Sequence, residues 1–172
     1  MPFIARWPGT IPAGTTSGAL IEQLDLFATC AEILGQPLPA NVAEDSVSFL
    51  AVLRHPQASP APRETLINHS AEGRFAIREG RWKLLVWPGS GGWSAPTPAP
   101  SQWLKVPRAD LTKLPPFQLY DLETDSGETH NLASVHPAIV QRLGRRLRAD
   151  IERGRSTPGA PQPFTVTPEW TQ

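Results

Sequence analysis

Leu119-Tyr120-Asp121-Leu122-Glu123-Thr124-Asp125-Ser126-Gly127-Glu128-Thr129-His130-Asn131-Leu132-Ala133 is the stretch on which the fold of this chain turns. Leu119 and Tyr120 start it as a strand. An acidic turn follows, and it ends where a long amphipathic helix begins. Asn131 or Ser134 supplies the cap, and Pro137 suits a first helical turn. Ile139, Val140, Leu143, Leu147 and Ile151 recur at helical spacing and form one apolar stripe, while Gly154 closes the helix. Arg142, Arg145, Arg146, Arg148 and Arg153 lie mostly off that stripe and read as a solvated face.

Four acids in the turn (Asp121, Glu123, Asp125 and Glu128) raise the question of a calcium loop. An EF-hand places oxygen ligands at alternate positions, glycine at the sixth and a bidentate glutamate at the twelfth. Counted from Asp121, the sixth residue is Ser126 and the twelfth is Leu132. The pattern fails. The stretch reads as a solvated turn in which Gly127 takes a positive φ.

Upstream, short strands precede the turn. Thr65 to Asn68 is one. Arg74 to Ile77 and Trp82 to Trp87 form a hairpin around Glu79-Gly80, and Phe117 to Tyr120 is the next strand. Residues 88–116 hold seven prolines and three glycines. A 29-residue connection exceeds the usual loop length. Residues 56–62 read as a linker. Before it, Asp25 is placed to cap a helix over Leu26 to Leu34, with Gly35 as its C′ residue. Leu26, Phe27, Cys30, Ile33 and Leu34 then form its expected buried face, with Cys30 a core residue. A second short helix is expected over Ser46 to Leu53, with Phe49, Leu50 and Leu53 inward. Phe3 to Trp7 reads as a short apolar strand stopped by Pro8-Gly9. Three regions follow: 1–55, 63–153, and a Pro/Thr-rich tail over 154–172.

Composition narrows the function. Sixteen basic residues balance sixteen acidic ones, so the chain has no net field to hold a polyanion, and nucleic-acid binding is not expected. Cys30 is the only cysteine, which rules out an intrachain disulfide or a multi-cysteine zinc site. No apolar run approaches the ~18 residues of a membrane span, and the start lacks the basic-then-apolar order of a signal peptide. These features leave the compartment open. Proline, 20 of 172 residues, stands at more than twice the average of about 5% and marks a loop-rich protein.

Few residues offer chemistry. His55 and His136 precede prolines in turns, and His130 lies in the acidic turn. His69 ends a strand ahead of Ser70-Ala71-Glu72-Gly73, a position from which a side chain can line a cleft. A lone histidine also serves as a plain structural residue. Pro88-Gly89-Ser90-Gly91-Gly92-Trp93 fits neither phosphate-loop nor dinucleotide spacing, because Ser94 stands where glycine is required. It reads as a hinge, or as a lid on which Trp93 and Trp103 offer aromatic faces to a sugar.

Four segments in order carry a resemblance. Pro2-Phe3-Ile4-Ala5-Arg6-Trp7-Pro8-Gly9 resembles the strand that follows the catalytic region of sulfatases. Residues 25–35 resemble their next helix. Phe75-Ala76-Ile77-Arg78-Glu79-Gly80-Arg81-Trp82-Lys83-Leu84 resembles the hairpin of their small C-terminal subdomain, and residues 119–133 its last strand and turn. Over about residues 2–153 the chain is similar to the C-terminal third of an arylsulfatase-type enzyme of the alkaline phosphatase-like superfamily.

The resemblance implies an α/β fold, α+β in its C-terminal part. Region 1–55 would be the last strand and helices of an alkaline phosphatase-like domain. Region 63–153 would be a small antiparallel sheet packed by a long C-terminal helix. It also implies sulfate-ester hydrolysis by a formylglycine, made from cysteine or serine in C-x-P-x-R, beside a calcium ion. Neither belongs to this chain: Cys30 is followed by Glu32 and Leu34 at the second and fourth positions, and no serine completes the motif. The implied partners are an N-terminal catalytic portion and a sulfate-ester substrate. Within the intact enzyme His69 and Trp93 are the expected substrate contacts, with no catalytic or metal residue here. A fragmentary gene, a remnant or one piece of a split enzyme would each account for such a chain. Two other readings stand beside it. One is a binding module for sulfated glycans using Arg74, Arg78, Arg81 and Lys83 beside Trp82 and Trp87. The other is an independent hydrolase using His69 with Asp110 or Asp121.

Overall fold

The computed structural model describes residues 3–57, 59–70, 73–89 and 113–163. They fall into two compact units, one formed by Met1–Leu66 with Arg153–Pro163 and one by Ile67–Glu152. No helix among the described residues is long and apolar enough to cross a membrane.

The first unit contains α1 (Asp25–Ile33) and α2 (Leu50–Arg54). The expected position of α1 holds, but its expected inward face does not. Asp25, Ala28 and Thr29 are buried, whereas Leu26, Phe27, Ile33 and Leu34 point outward and Cys30 is exposed. Hydrogen bonds explain the choice. Residues 46–49 run along the polar side of α1. The Ala28 amide, in the first turn of the helix, donates to Ser46 Oγ at 2.9 Å, and Ser46 Oγ donates to the Leu24 carbonyl at 2.7 Å. The Val47 amide donates to Asp25 Oδ1 at 2.8 Å and the Phe49 amide to Thr29 Oγ1 at 3.1 Å. Turning the helix to bury its apolar side would orphan all of these groups.

Asp25 is therefore a buried hub rather than a cap. Its carboxylate also accepts from the Glu22 amide at 2.7 Å and pairs with Arg63, whose side chain is 4% exposed. Arg63 additionally donates to the Asp45 carbonyl at 2.7 Å. Phe49, Leu50 and Val52 supply the apolar contacts, and Phe49 meets Phe3 edge to face with ring centroids 5.5 Å apart. Residues 3–7, expected as a strand, form none among the described residues.

Part of the expected tail is built into this unit. Arg155, 6% exposed, donates to the carbonyls of Ala40, Thr157 and Ala160. The Ser156 amide bonds to Asp45 Oδ1 at 2.7 Å, and Thr157 Oγ1 to the Glu44 carbonyl at 2.5 Å. One arginine with several carbonyl acceptors fixes a segment that has almost no apolar side chains.

The second unit holds a four-stranded sheet in the order β1-β2-β3-β4 and, among the described residues, one long helix. The strands are β1 (Thr65–His69), β2 (Phe75–Glu79), β3 (Trp82–Leu85) and β4 (Gln118–Asp121); the helix is α3 (Pro137–Glu152). β2, β3 and β4 pair antiparallel, with Ile77 opposite Leu84 and Leu84 opposite Leu119. Those three side chains are fully buried, and Leu143, Leu147 and Ile151 of α3 join them in one core. The helical stripe read from sequence is thus the stripe that packs, against the buried face of the sheet. Gly80, at φ 54°, makes the β2–β3 turn where a side chain would be strained.

Candidate functional site

The acidic turn after β4 is built from internal bonds. Asp121 Oδ1 accepts from Arg81 Nε at 2.7 Å, and its other oxygen pairs with the same guanidinium. The Glu123 amide and Thr124 Oγ1 donate to Asp121 as well. Glu123 takes the remaining side of Arg81 at 2.8 Å, and Glu128 pairs with Lys83 at 2.6 Å. Asp125 accepts from the amides of Thr129 and His130. Asn131 then ties the turn to the sheet: its Oδ1 accepts from the Leu119 and Ala133 amides and its Nδ2 donates to the Phe117 carbonyl. The glycine expected to carry the positive φ does not. Glu128 has it, at 55°, held there by Lys83.

This donor set does not fit calcium. Hard cations need several carboxylate and carbonyl oxygens converging on one point. Here each carboxylate is directed at a guanidinium, an ammonium or a backbone N–H of its own turn. No group of three or more potential metal ligands occurs among the described residues.

The Asp121 carboxyl is held down at about 2 by its hydrogen bonds to Arg81, which outweigh the opposing effect of desolvation. A depressed carboxyl stabilises the fold fully above its unfolded value near 3.9, and that contribution is lost as pH falls toward the folded value. Urea midpoints measured from pH 5 to pH 2 should therefore drop steeply below about pH 4. In Asp121→Asn the drop should be shallower. An unchanged slope would mean that the Arg81 pair carries no part of acid unfolding.

The other end of the sheet carries the remaining polar candidates. His69 closes β1, and its ring lies edge to face with Phe75, centroids 6.3 Å apart. Its Nδ1 is 2.9 Å from the Ser70 carbonyl. A carbonyl only accepts, so Nδ1 carries the hydrogen and Nε2 is the acceptor of the neutral ring. The side chain is exposed. The β1–β2 turn is closed by the Ser70 amide on the Arg74 carbonyl at 2.9 Å, and the Arg74 guanidinium stacks 3.5 Å from the centroid of the Trp87 ring. Trp93, the other expected contact, lies outside the described residues, as do Trp103 and Asp110.

Register settles how far the cations of the sheet converge. Arg78 stands opposite Lys83, and both alternate with the buried Ile77 and Leu84, so they share the face away from α3. Lys83 is taken by Glu128, and Arg81, in the turn, by Asp121 and Glu123. Arg78 Nε donates to the Gly80 carbonyl at 3.0 Å and Arg74 stacks on Trp87, so all four cations considered for a glycan have a partner within the fold. His69 and Asp121 lie on opposite edge strands of the sheet, so they form no catalytic pair. The Asp25–Arg63 pair went unread in the sequence, because Arg63 follows a proline in a linker-like run and has no pattern around it.

No protein-family model matches the chain. Individual relatives do. The chain is 33% identical to an N-acetylgalactosamine-6-O-sulfatase of Bacteroides thetaiotaomicron over 87% of its own length and 27% of the relative's. It is 34% identical to human arylsulfatase A, over 83% of itself and 28% of that protein. A solved structure described under the metabolism of multiple glycosaminoglycans by Bacteroides thetaiotaomicron superposes with a TM-score of 0.67 at 32% identity, over 86% of this chain and 28% of that one. The chain therefore spans little more than a quarter of the length of these relatives.

Proposed function

This chain belongs to the sulfatases, as the C-terminal portion of one, and we propose that it completes a sulfuric ester hydrolase rather than performing hydrolysis by itself. One observation carries the proposal. The sole cysteine, Cys30, has Glu32 and Leu34 where C-x-P-x-R requires proline and arginine, so the chain has no site for the family's formylglycine. The acidic turn supports it, since its carboxylates are committed to Arg81, Lys83 and local amides. Nucleophile and calcium would then be held by the catalytic portion, and this chain would help to shape the mouth of the site. His69 is our candidate for that role: it is exposed, it ends a strand, and with Nδ1 on the Ser70 carbonyl its Nε2 is an acceptor suited to a sugar hydroxyl. Trp93 is its proposed aromatic companion. A sulfate ester is the substrate class. A separate glycan-binding role would rest on Arg78 and on the Arg74–Trp87 stack.

The test assays an aryl sulfate twice, with the purified chain and with the chain co-expressed beside the catalytic portion of the Bacteroides relative. The chain alone should show no turnover above background. In the completed enzyme His69→Ala should lower kcat/KM roughly tenfold, the worth of one hydrogen bond to substrate. Turnover by the chain alone would overturn the proposal.

A further inference from the structure

Two arginines of α3 are turned to acids: Arg142 pairs with Glu79, and Arg146 donates to Asp150 at 2.8 Å. Two others, Arg145 and Arg148, are exposed and border an open groove of about 450 Å³. Val86, Phe117 and Leu147 give the groove its apolar lining, and Gly144 lies among them. The volume falls within the range of about 300–1,000 Å³ usual for small-molecule sites.

Gly144 is the residue in need of a reason. It stands in the interior of a 16-residue helix, where glycine is less stable than alanine. Its φ is not among the positive ones, so no left-handed turn requires it. Close packing does not require it either. Beyond the helix's own backbone, a Cβ at this position would meet nothing within 4 Å. A side chain is thus missing where neither the backbone nor a neighbour demands its absence. The result is bare helix backbone in the groove, the kind of surface that a ligand can approach closely.

We infer that the groove binds a small aromatic anion. A flat ring lies against Gly144, Phe117 and Leu147, and a sulfate, sulfonate or carboxylate head meets Arg145 and Arg148. Charge sets the sign of the ligand: two cations and no carboxylate line the groove among the described residues. The two arginines are three positions apart on the helix, so both can reach one head group. Arginine also stacks on aromatic faces, which favours a ring over an alkyl chain. The inference stands on the groove alone and goes beyond the proposed function.

The full chain, isotope-labelled, is titrated with 2-naphthalenesulfonate while its amide resonances are followed. Saturable shifts are expected at Gly144, Arg145, Leu147 and Phe117. Neutral 2-naphthalenemethanol should bind at least tenfold more weakly. Arg145→Glu with Arg148→Glu should weaken sulfonate binding by at least the same factor. Gly144→Leu fills the groove and should abolish the shifts while preserving the circular dichroism of the chain. If that variant misfolds, the arginine variant decides, since both of its positions are exposed. Equal affinity for the neutral alcohol, or unweakened sulfonate binding in the arginine variant or in folded Gly144→Leu, would overturn the inference. So would shifts that are absent or that spread over the chain without saturating. Absent shifts together with a lowered melting temperature of Gly144→Leu would show that residues 90–112 or a second copy already fill the groove.

Discussion

Asp25→Ala should destabilise the first unit by about 3–5 kcal/mol, the usual cost of removing one partner from a buried ion pair. Both side chains are nearly inaccessible, 2% exposed for Asp25 and 4% for Arg63. The substitution leaves a guanidinium without its principal counter-ion. It also takes the acceptor from the Glu22 and Val47 amides. The lesion should be local: amide exchange at Val47 and Phe49 should accelerate first, because these amides bond to Asp25 and Thr29 of α1. Urea unfolding of the variant measures the loss. Replacing both partners, as Asp25→Leu with Arg63→Met, should cost less, since the guanidinium is not left buried without Asp25, although Glu22 loses its 3.4 Å contact with Arg63. If the single and double replacements are equally damaging, the hydrogen bonds to backbone dominate and the charge pair does not.

Leu84→Ala should cost the second unit about 2–5 kcal/mol. Leu84 is fully buried at the middle of the row Ile77–Leu84–Leu119, and it packs in one core with Leu143 and Leu147. Truncation removes contacts on three sides, and a sheet clamped by one helix has little freedom to collapse into the space. Thermal unfolding should show the midpoint lowered by about 8 °C or more for a unit of this size. Leu85→Ala, one residue along and on the opposite face, should lose well under half as much. Equal losses would mean that the far face is as tightly packed as the helix face.

The second unit was largely legible from sequence. β2, β3 and β4 begin within one residue of the expected positions, and α3 buries the stripe that its spacing marks out. Its apolar stripe faces the buried side chains of the sheet, Ile77, Leu84 and Leu119, in one core. In α1 the same reasoning located the helix and chose the wrong side. Periodicity groups residues onto a common face. It does not say which face the fold covers. Residues 46–49 and Arg63, distant in sequence, made that choice through hydrogen bonds with Asp25, Ala28 and Thr29. Arg155 was missed for a related reason: a charged residue among prolines and threonines gives no signal until its carbonyl acceptors surround it.

The family, the strands and helix of the second unit and the lack of a formylglycine motif were legible in residue types and local patterns, whereas the strand expected over residues 3–7 is not formed among the described residues. How the polar residues are used follows from contacts made in space. The stretch 119–133 offers four carboxylates that could face a metal, a ligand or the chain itself. Residues some forty positions upstream, Arg81 and Lys83, come within reach through the β2–β3 hairpin and take three of them; amides of the turn take the fourth. A charge finds its partner in space, and that distance is set by the fold.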